Sequence, residues 1–357
     1  MSLSSNASNV LLAKCRARFG KHLTKTDIDA LVNCRSVSEV VSYLKNCPLY
    51  RDMLQQVDDT SVHRRRIEFL LERGFYEQLS TLCRYEMQVG EWFSSYILMK
   101  GEIRQIVSFL WQLSAGKPDE FIFSLPDFFL HSSTLDFAAL MQCRSYDDFL
   151  RVMEGTNVYK TLSRLAPAPG KAIDCAMIEH ALQEQFNKEI LAIVEKHYSG
   201  SARSELLDLL GTRIDLDCFS HIYRLKKYYS ADPAVIRAML PDRCINIRPK
   251  VLSDMIAAPD ADAALDIFRS RTTYGRRLDA EQLRLHGVEF ISNAMVYRKA
   301  LRLMRTSVNP TTVLLSYVTL AEIESKDIIT IVESVFYKLP ADEIRQLITI
   351  DEYNSRT

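Results

Sequence analysis

Apolar residues recur along this chain at helical spacing. In "IEFLLERGFYEQL" (67–79), Ile67, Leu70, Leu71, Phe75 and Leu79 fall on one face of a helix, and Ile328, Ile331, Val332, Val335, Phe336 and Leu339 do the same near the C-terminal end. Further amphipathic stripes cover 101–113, 176–196, 205–229 and 288–304, whereas sustained two-residue alternation is scarce. The pattern predicts an all-α chain. Its breaks fall at "AGKP" (115–118), "APAPG" (166–170), "SGSARS" (199–204), "ADPA" (231–234), "AAPD" (257–260) and "SVNP" (307–310). None is long or biased enough to serve as a disordered linker.

The helical pattern is also repeated. "CRSVSEVVSYLKNCPLY" (34–50), "CRSYDDFLRVMEGTNVY" (143–159) and "APDADAALDIFRSRTTY" (258–274) align without a gap. Ser36, Ser145 and Asp260 share one position, and each can cap a helix by accepting a hydrogen bond from an orphan N–H. Glu39 and Asp148 follow at capping-box spacing, while the third copy has Ala263 there. Val40, Val41 and Leu44 should then point inward, as should Phe149, Leu150 and Met153 in the second copy and Ala264, Leu265 and Phe268 in the third. Each window closes on a tyrosine: Tyr50, Tyr159 or Tyr274.

Fainter correspondences continue downstream. Glu68, Glu179 and Glu289 each follow an apolar residue and precede Phe75, Phe186 or Val296 by seven positions. Then come an acid and an aliphatic residue, Glu102–Ile103, Asp215–Leu216 and Glu322–Ile323, read as opening another helix; Pro118, Pro233 or Pro340 restarts the chain beyond it. The chain therefore divides into a tail (1–9) and three sequence-related helical-bundle domains at 10–120, 121–236 and 237–357. A repeat of this length favours three small domains over the shorter units of a solenoid scaffold binding peptides or helices, the competing reading.

Composition narrows the function. With 45 basic and 45 acidic residues the chain is neutral, which disfavours nucleic-acid binding. The most apolar stretch, "FIFSLPDFFL" (121–130), is short and cut by Pro126, so no membrane-spanning insertion is expected. Eight cysteines without C-x-x-C spacing, and histidines without ligand spacing, argue for reduced thiols and no metal site. Phosphate-loop, dinucleotide, zincin and nucleophile-elbow motifs are absent, so no catalytic residue or cofactor is assigned. "VHRRRIEF" (62–69) reads as a solvated helix start, and "YRLKKYY" (223–229) as a helix with core tyrosines and outer lysines. That leaves Glu102, Asp215 and Glu322, one per copy, either as repeat-equivalent partner contacts or as helix-start acids interacting with the positive end of a helix.

At its C-terminal end, "LAEIESKDIITIVESVFYKLPADEIRQL" (320–347) resembles the closing segment of the C subunit of V-type and archaeal A-type rotary ATPases, called subunit d in the vacuolar pump. Glu322, Ile323, Phe336, Tyr337, Leu339, Pro340 and Glu343 fit that pattern. "VLLAKCRARFGKHLT" (10–24), with Ala13, Arg16, Ala17 and Arg18, resembles the family's opening helix. The resemblance implies a funnel of three helical domains with pseudo-three-fold symmetry and no catalytic role. It implies a central-rotor subunit, cytoplasmic and peripheral on the membrane, that receives D- and F-type central-stalk subunits and sits on the membrane rotor ring, linking ATP turnover to proton or sodium transport.

Overall fold

The computed structural model describes residues 3–55, 57, 64–89, 94–122, 131, 133–168, 170–240, 244–278 and 280–349. Within "FIFSLPDFFL", residues 123–130 lie outside the described residues, as do residues 62 and 63 of "VHRRRIEF" and the stretch 350–357. Among the described residues the regular elements are helices and no strand occurs, as the periodicity predicts.

After α1 (Leu3–Phe19), the same succession of elements occurs three times. In the first copy it runs α2 (Lys25–Val32), α3 (Val37–Leu44), α4 (Arg51–Leu54), α5 (Arg64–Val89), α6 (Ser94–Ser114) and a 3-10 turn, Pro118–Glu120. The second copy has α7 (Phe137–Gln142), α8 (Tyr146–Val152), α9 (Tyr159–Arg164), α10 (Cys175–His197), α11 (Gly200–Tyr229) and α12 (Pro233–Ala238). The third has α13 (Pro249–Ala257), α14 (Ala261–Arg271), a 3-10 turn at Gly275–Arg277, α15 (Ala280–Thr306), α16 (Pro310–Phe336) and α17 (Ala341–Leu347). Each copy is thus two short helices, one turn, two long helices and a proline-led short segment. Pro118 and Pro233 are first helical residues, whereas Pro340 takes the N-cap position of α17. Within α15 the backbone breaks helical geometry at Gly287 (φ 79°).

The repeated caps form as the sequence requires. Ser36 accepts from Glu39 N at 3.2 Å, Ser145 from Asp148 N at 3.1 Å and Asp260 from Ala263 N at 2.8 Å. Each satisfies an orphan donor and fixes where the second helix of its copy begins, at about 1 kcal/mol per cap. Val40, Val41, Leu44, Phe149, Met153, Ala264 and Phe268 are buried behind these caps; Leu150 and Leu265, at the edge of the stripe, are half-buried.

Two compact units are present, Met1–Phe75 with Ser199–Thr357, and Tyr76–Tyr198. In the second, α6 packs on α10, and Phe109 of α6 stacks on Phe149 of α8 with centroids 5.9 Å apart. In the first, α16 packs against α1, α2, α3, α15 and α17, while α11 packs against α14 and α15. There Phe219 of α11 lies flat on Phe268 of α14, 3.8 Å apart and 9° from parallel. Burying each ring contributes about 1.5–3 kcal/mol, and the pairing adds about 0.5–1.5 kcal/mol. In all three cases the second long helix of one copy carries the short capped helix of another: α6 carries α8, α11 carries α14, and α16 carries α3.

Four stretches depart from expectation. The break read at "SGSARS" (199–204) is confined to Tyr198 and Ser199, because α11 already begins at Gly200. α1 begins at Leu3, inside the stretch read as a tail. In "YRLKKYY" the pattern is inverted beyond Tyr223: Tyr228 and Tyr229 are exposed, while Lys226 is buried with its ammonium on the Ala258 carbonyl at the C-terminal end of α13. A cation there satisfies an orphan carbonyl and opposes the helix's negative end, so position 226 points inward. Burial pushes the Lys226 ammonium pKa down, against the pull of Asp260. Phe336, assigned to the inward stripe, is exposed because α16 ends there.

Candidate functional site

The recurring acids Glu102 and Asp215 lie in helix interiors, α6 and α11, and Glu322 lies in the interior of α16. The helix-start reading is therefore corrected: each helix begins a turn or more earlier, and a macrodipole interaction, confined to the first turn, does not reach these carboxylates.

Asp215 shows what such an acid does. Its side chain is fully buried. Oδ1 accepts from Ile245 N at 2.6 Å, and Oδ2 accepts from Asn246 N at 2.8 Å and from the Tyr274 hydroxyl at 2.9 Å. Residues 244–248 lead into α13, the first helix of the third copy. Asp215, from the second copy, thus anchors the lead-in to the third. Gly211, one turn earlier on α11, makes the approach possible: a Cβ there would stand 2.8 Å from Ile245 Cγ2. Burial pushes the Asp215 carboxyl above its ordinary value, and the hydrogen bonds from Asn246, Ile245 and Tyr274 oppose that rise.

Glu102 plays the corresponding part in the unit Tyr76–Tyr198. It accepts from the Ser133 hydroxyl and from the backbone of Thr134, just before α7 opens the second copy. Burial pushes its carboxyl up as well, against those two hydrogen bonds.

In α16 the acid with this role is Glu324, two residues beyond Glu322. Glu324 is 2% exposed. Oε2 accepts from Leu23 N at 3.2 Å and from His22 Nδ1–H at 2.9 Å, and Oε1 accepts from the Tyr50 hydroxyl. His22 and Leu23 lead into α2, the first helix of the first copy. Burial and the neighbouring Glu324 raise the Tyr50 hydroxyl pKa well above its ordinary value, so Tyr50 is a committed donor. Glu322 instead lies 3.7 Å from Arg213 of α11.

The three clamps share one offset. An acid of the first copy holds the lead-in to the second, an acid of the second holds the lead-in to the third, and an acid of the third holds the lead-in to the first. Tyr274 and Tyr50, aligned in the sequence windows, both close on such an acid, whereas Tyr146 rather than Tyr159 makes the long-range hydroxyl contact in the second copy, to Leu162 O at 2.8 Å. Around the Glu324 clamp, Arg16 of α1 donates to Met304 O at 3.1 Å and Ser307 O at 2.7 Å, capping the C-terminal end of α15. Arg345 of α17 pairs with Asp29 of α2 at 2.6 Å.

Sequence reasoning missed Glu324 and His22. One signal marks the former: Glu324 precedes Pro340 by sixteen residues, the spacing from Glu102 to Pro118. Among the described residues no cluster of side chains could hold a metal ion, and no helix is long and apolar enough to cross a membrane.

No curated protein matches the chain. The sequence pattern of the ATP synthase (C/AC39) subunit family matches residues 11–347, spanning all three copies and the three clamps within them. The chain belongs to that family of V/A-type ATPase subunits.

Proposed function

We propose that the chain is the non-catalytic central-rotor subunit of a V/A-type ATPase. It joins D- and F-type central-stalk subunits to the membrane rotor ring at the cytoplasmic face and couples ATP turnover to proton or sodium transport. The observation that carries this reading is the cyclic order of the acid clamps. A part that transmits torque must resist shear where its modules meet. Packed apolar surfaces resist separation, but directional, charge-assisted hydrogen bonds also fix register. Each of the three clamps supplies such bonds at a lead-in segment, the place where one copy gives way to the next.

In this reading the domains 10–120, 121–236 and 237–357 form a funnel of pseudo-three-fold symmetry. Two of its junctions are bridged by the chain itself. The third, between the last copy and the first, depends on Glu324, Arg16 and Arg345. The clamp acids then serve partners indirectly, by holding the modules that contact them. Cross-linking of the intact rotary complex tests the assignment. Links from this chain to both a central-stalk subunit and a ring subunit are expected; a complex linking it to neither would overturn it.

A further inference from the structure

Positive charge lines one face of α15 near its C-terminal end. Arg298, Arg302 and Arg305 recur at i, i+4 and i+7, so they stand in a single row along the helix, and all three are exposed. The row is about 10 Å long. Its setting is rigid: Met304 O and Ser307 O accept from Arg16 of α1, and Lys299 Nζ donates to Asp208 Oδ1 of α11.

The acids around this row are committed elsewhere. α1 contains none, and none follows Glu289 within α15. From α11 come Glu205 and Asp208. Glu205 Oε2 accepts from the Ser307 hydroxyl at 2.6 Å and from Asn309 Nδ2 at 2.7 Å. Asp208 holds Lys299 and lies 3.8 Å from Arg302, whose side chain stays 62% exposed. Glu324 and Asp327 of α16 are buried, the first in its clamp and the second accepting from Thr349 N at 3.0 Å. Beyond Arg305 the row ends beside Val308, which is 78% exposed.

We propose that this row of arginines is a docking surface for an acidic helix of a partner protein, with carboxylates at i, i+4 and i+7 and an apolar residue one turn further on. Charge and spacing select that occupant. A partner helix repeats its side chains with the same period, so each of three carboxylates in line can meet one guanidinium. The planar guanidinium grips a carboxylate through two parallel N–H···O bonds, which a lysine cannot do. Val308 then lies under the apolar residue of the next turn. A lipid surface fits less well, because headgroup clusters gather about four to eight bases, whereas the exposed bases of this row are three and in line. The docking does not depend on the chain's role in coupling.

The test titrates the full-length protein at low salt with a stapled helical peptide carrying Glu at i, i+4 and i+7 and a leucine one turn beyond, followed by amide NMR. The amides of 298–308 should shift, and added salt should reverse the shifts, since exposed ion pairs are screened. Arg302→Glu combined with Arg305→Glu should bind this peptide about tenfold more weakly and should bind instead a counterpart with Lys in place of Glu. A scrambled peptide of equal charge that binds as tightly would overturn the proposal. So would shifts confined to amides outside 298–308, or none at the solubility limit of the peptide. Phosphatidylserine vesicles that bind more tightly than the peptide, through the same arginines, would assign the surface to lipid and overturn it as well. Should the double reversal fail to fold, Arg302→Gln with Arg305→Gln must still weaken peptide binding.

Discussion

Replacing Glu324 with alanine strikes the one junction of the proposed cycle that no peptide bond bridges. Three donors converge on this carboxylate: Leu23 N, His22 Nδ1–H and the buried Tyr50 hydroxyl. Each buried donor left without an acceptor costs about 1–3 kcal/mol, while removing the carboxylate also removes its own desolvation cost. The contributions are not additive, so Glu324→Ala should lose about 3–4 kcal/mol. Glu324→Gln is milder. Its amide oxygen can still accept from Leu23 and His22, and its NH2 can donate to a reoriented Tyr50 hydroxyl. Loss of charge assistance then dominates, at about 1–2 kcal/mol. Urea titration of both variants gives these values, with hydrogen exchange following the Leu23 amide. An alanine variant within about 1 kcal/mol of wild type, or an unchanged Leu23 amide, would refute the clamp reasoning.

Asp215→Asn should show a pH-dependent difference from wild type. Burial raises the Asp215 carboxyl above its ordinary 3.8, so the folded protein holds that proton more readily than the unfolded chain; stability present below that value is lost as pH rises through the raised pKa. Denaturant titrations from about pH 4 to about pH 7 should therefore show wild type losing stability relative to Asp215→Asn, and a shift in the opposite direction would contradict the assignment. Gly211→Ala gains helix propensity but drives a methyl against Ile245, so a net loss of about 1–2 kcal/mol is expected by urea titration, and a stabilised variant would count against the close approach. Asp260→Ala removes the cap on Ala263 N and should cost about 1 kcal/mol by the same measurement. Phe268→Ala removes the ring stacked on Phe219 and should cost about 3–5 kcal/mol.

The caps at Ser36, Ser145 and Asp260 were legible in the sequence because a cap is local: the side chain and the N–H it satisfies are three residues apart. The all-helical fold was legible for a similar reason, since periodicity reports which face is apolar. What that face packs against is another matter. Windows of repeated sequence cannot show that α11 of the second copy carries α14 of the third, because the same apolar stripe serves any partner. The acids illustrate this limit. Glu102, Asp215 and Glu322 stand out as acid–aliphatic pairs, yet the backbone partners of Asp215, Ile245 and Asn246, lie about thirty residues ahead, and His22 and Leu23, which Glu324 holds, about three hundred behind. Glu324 lacks the following aliphatic residue, and only its spacing to Pro340 marks it. Lys226 was misread because a lysine is ordinarily exposed, and the Ala258 carbonyl that draws it inward is a tertiary feature.

The central claim, that this chain transmits rotation between the ATP-hydrolysing head and the ion-carrying ring, is tested most directly by reconstituting the rotary complex in vesicles with and without it. ATP hydrolysis and ion uptake are then measured on the same sample. Without the chain, head-group hydrolysis should continue while ATP-driven ion uptake falls to the leak rate, and adding the chain back should restore uptake. Ion uptake that still follows hydrolysis in its absence would contradict the account.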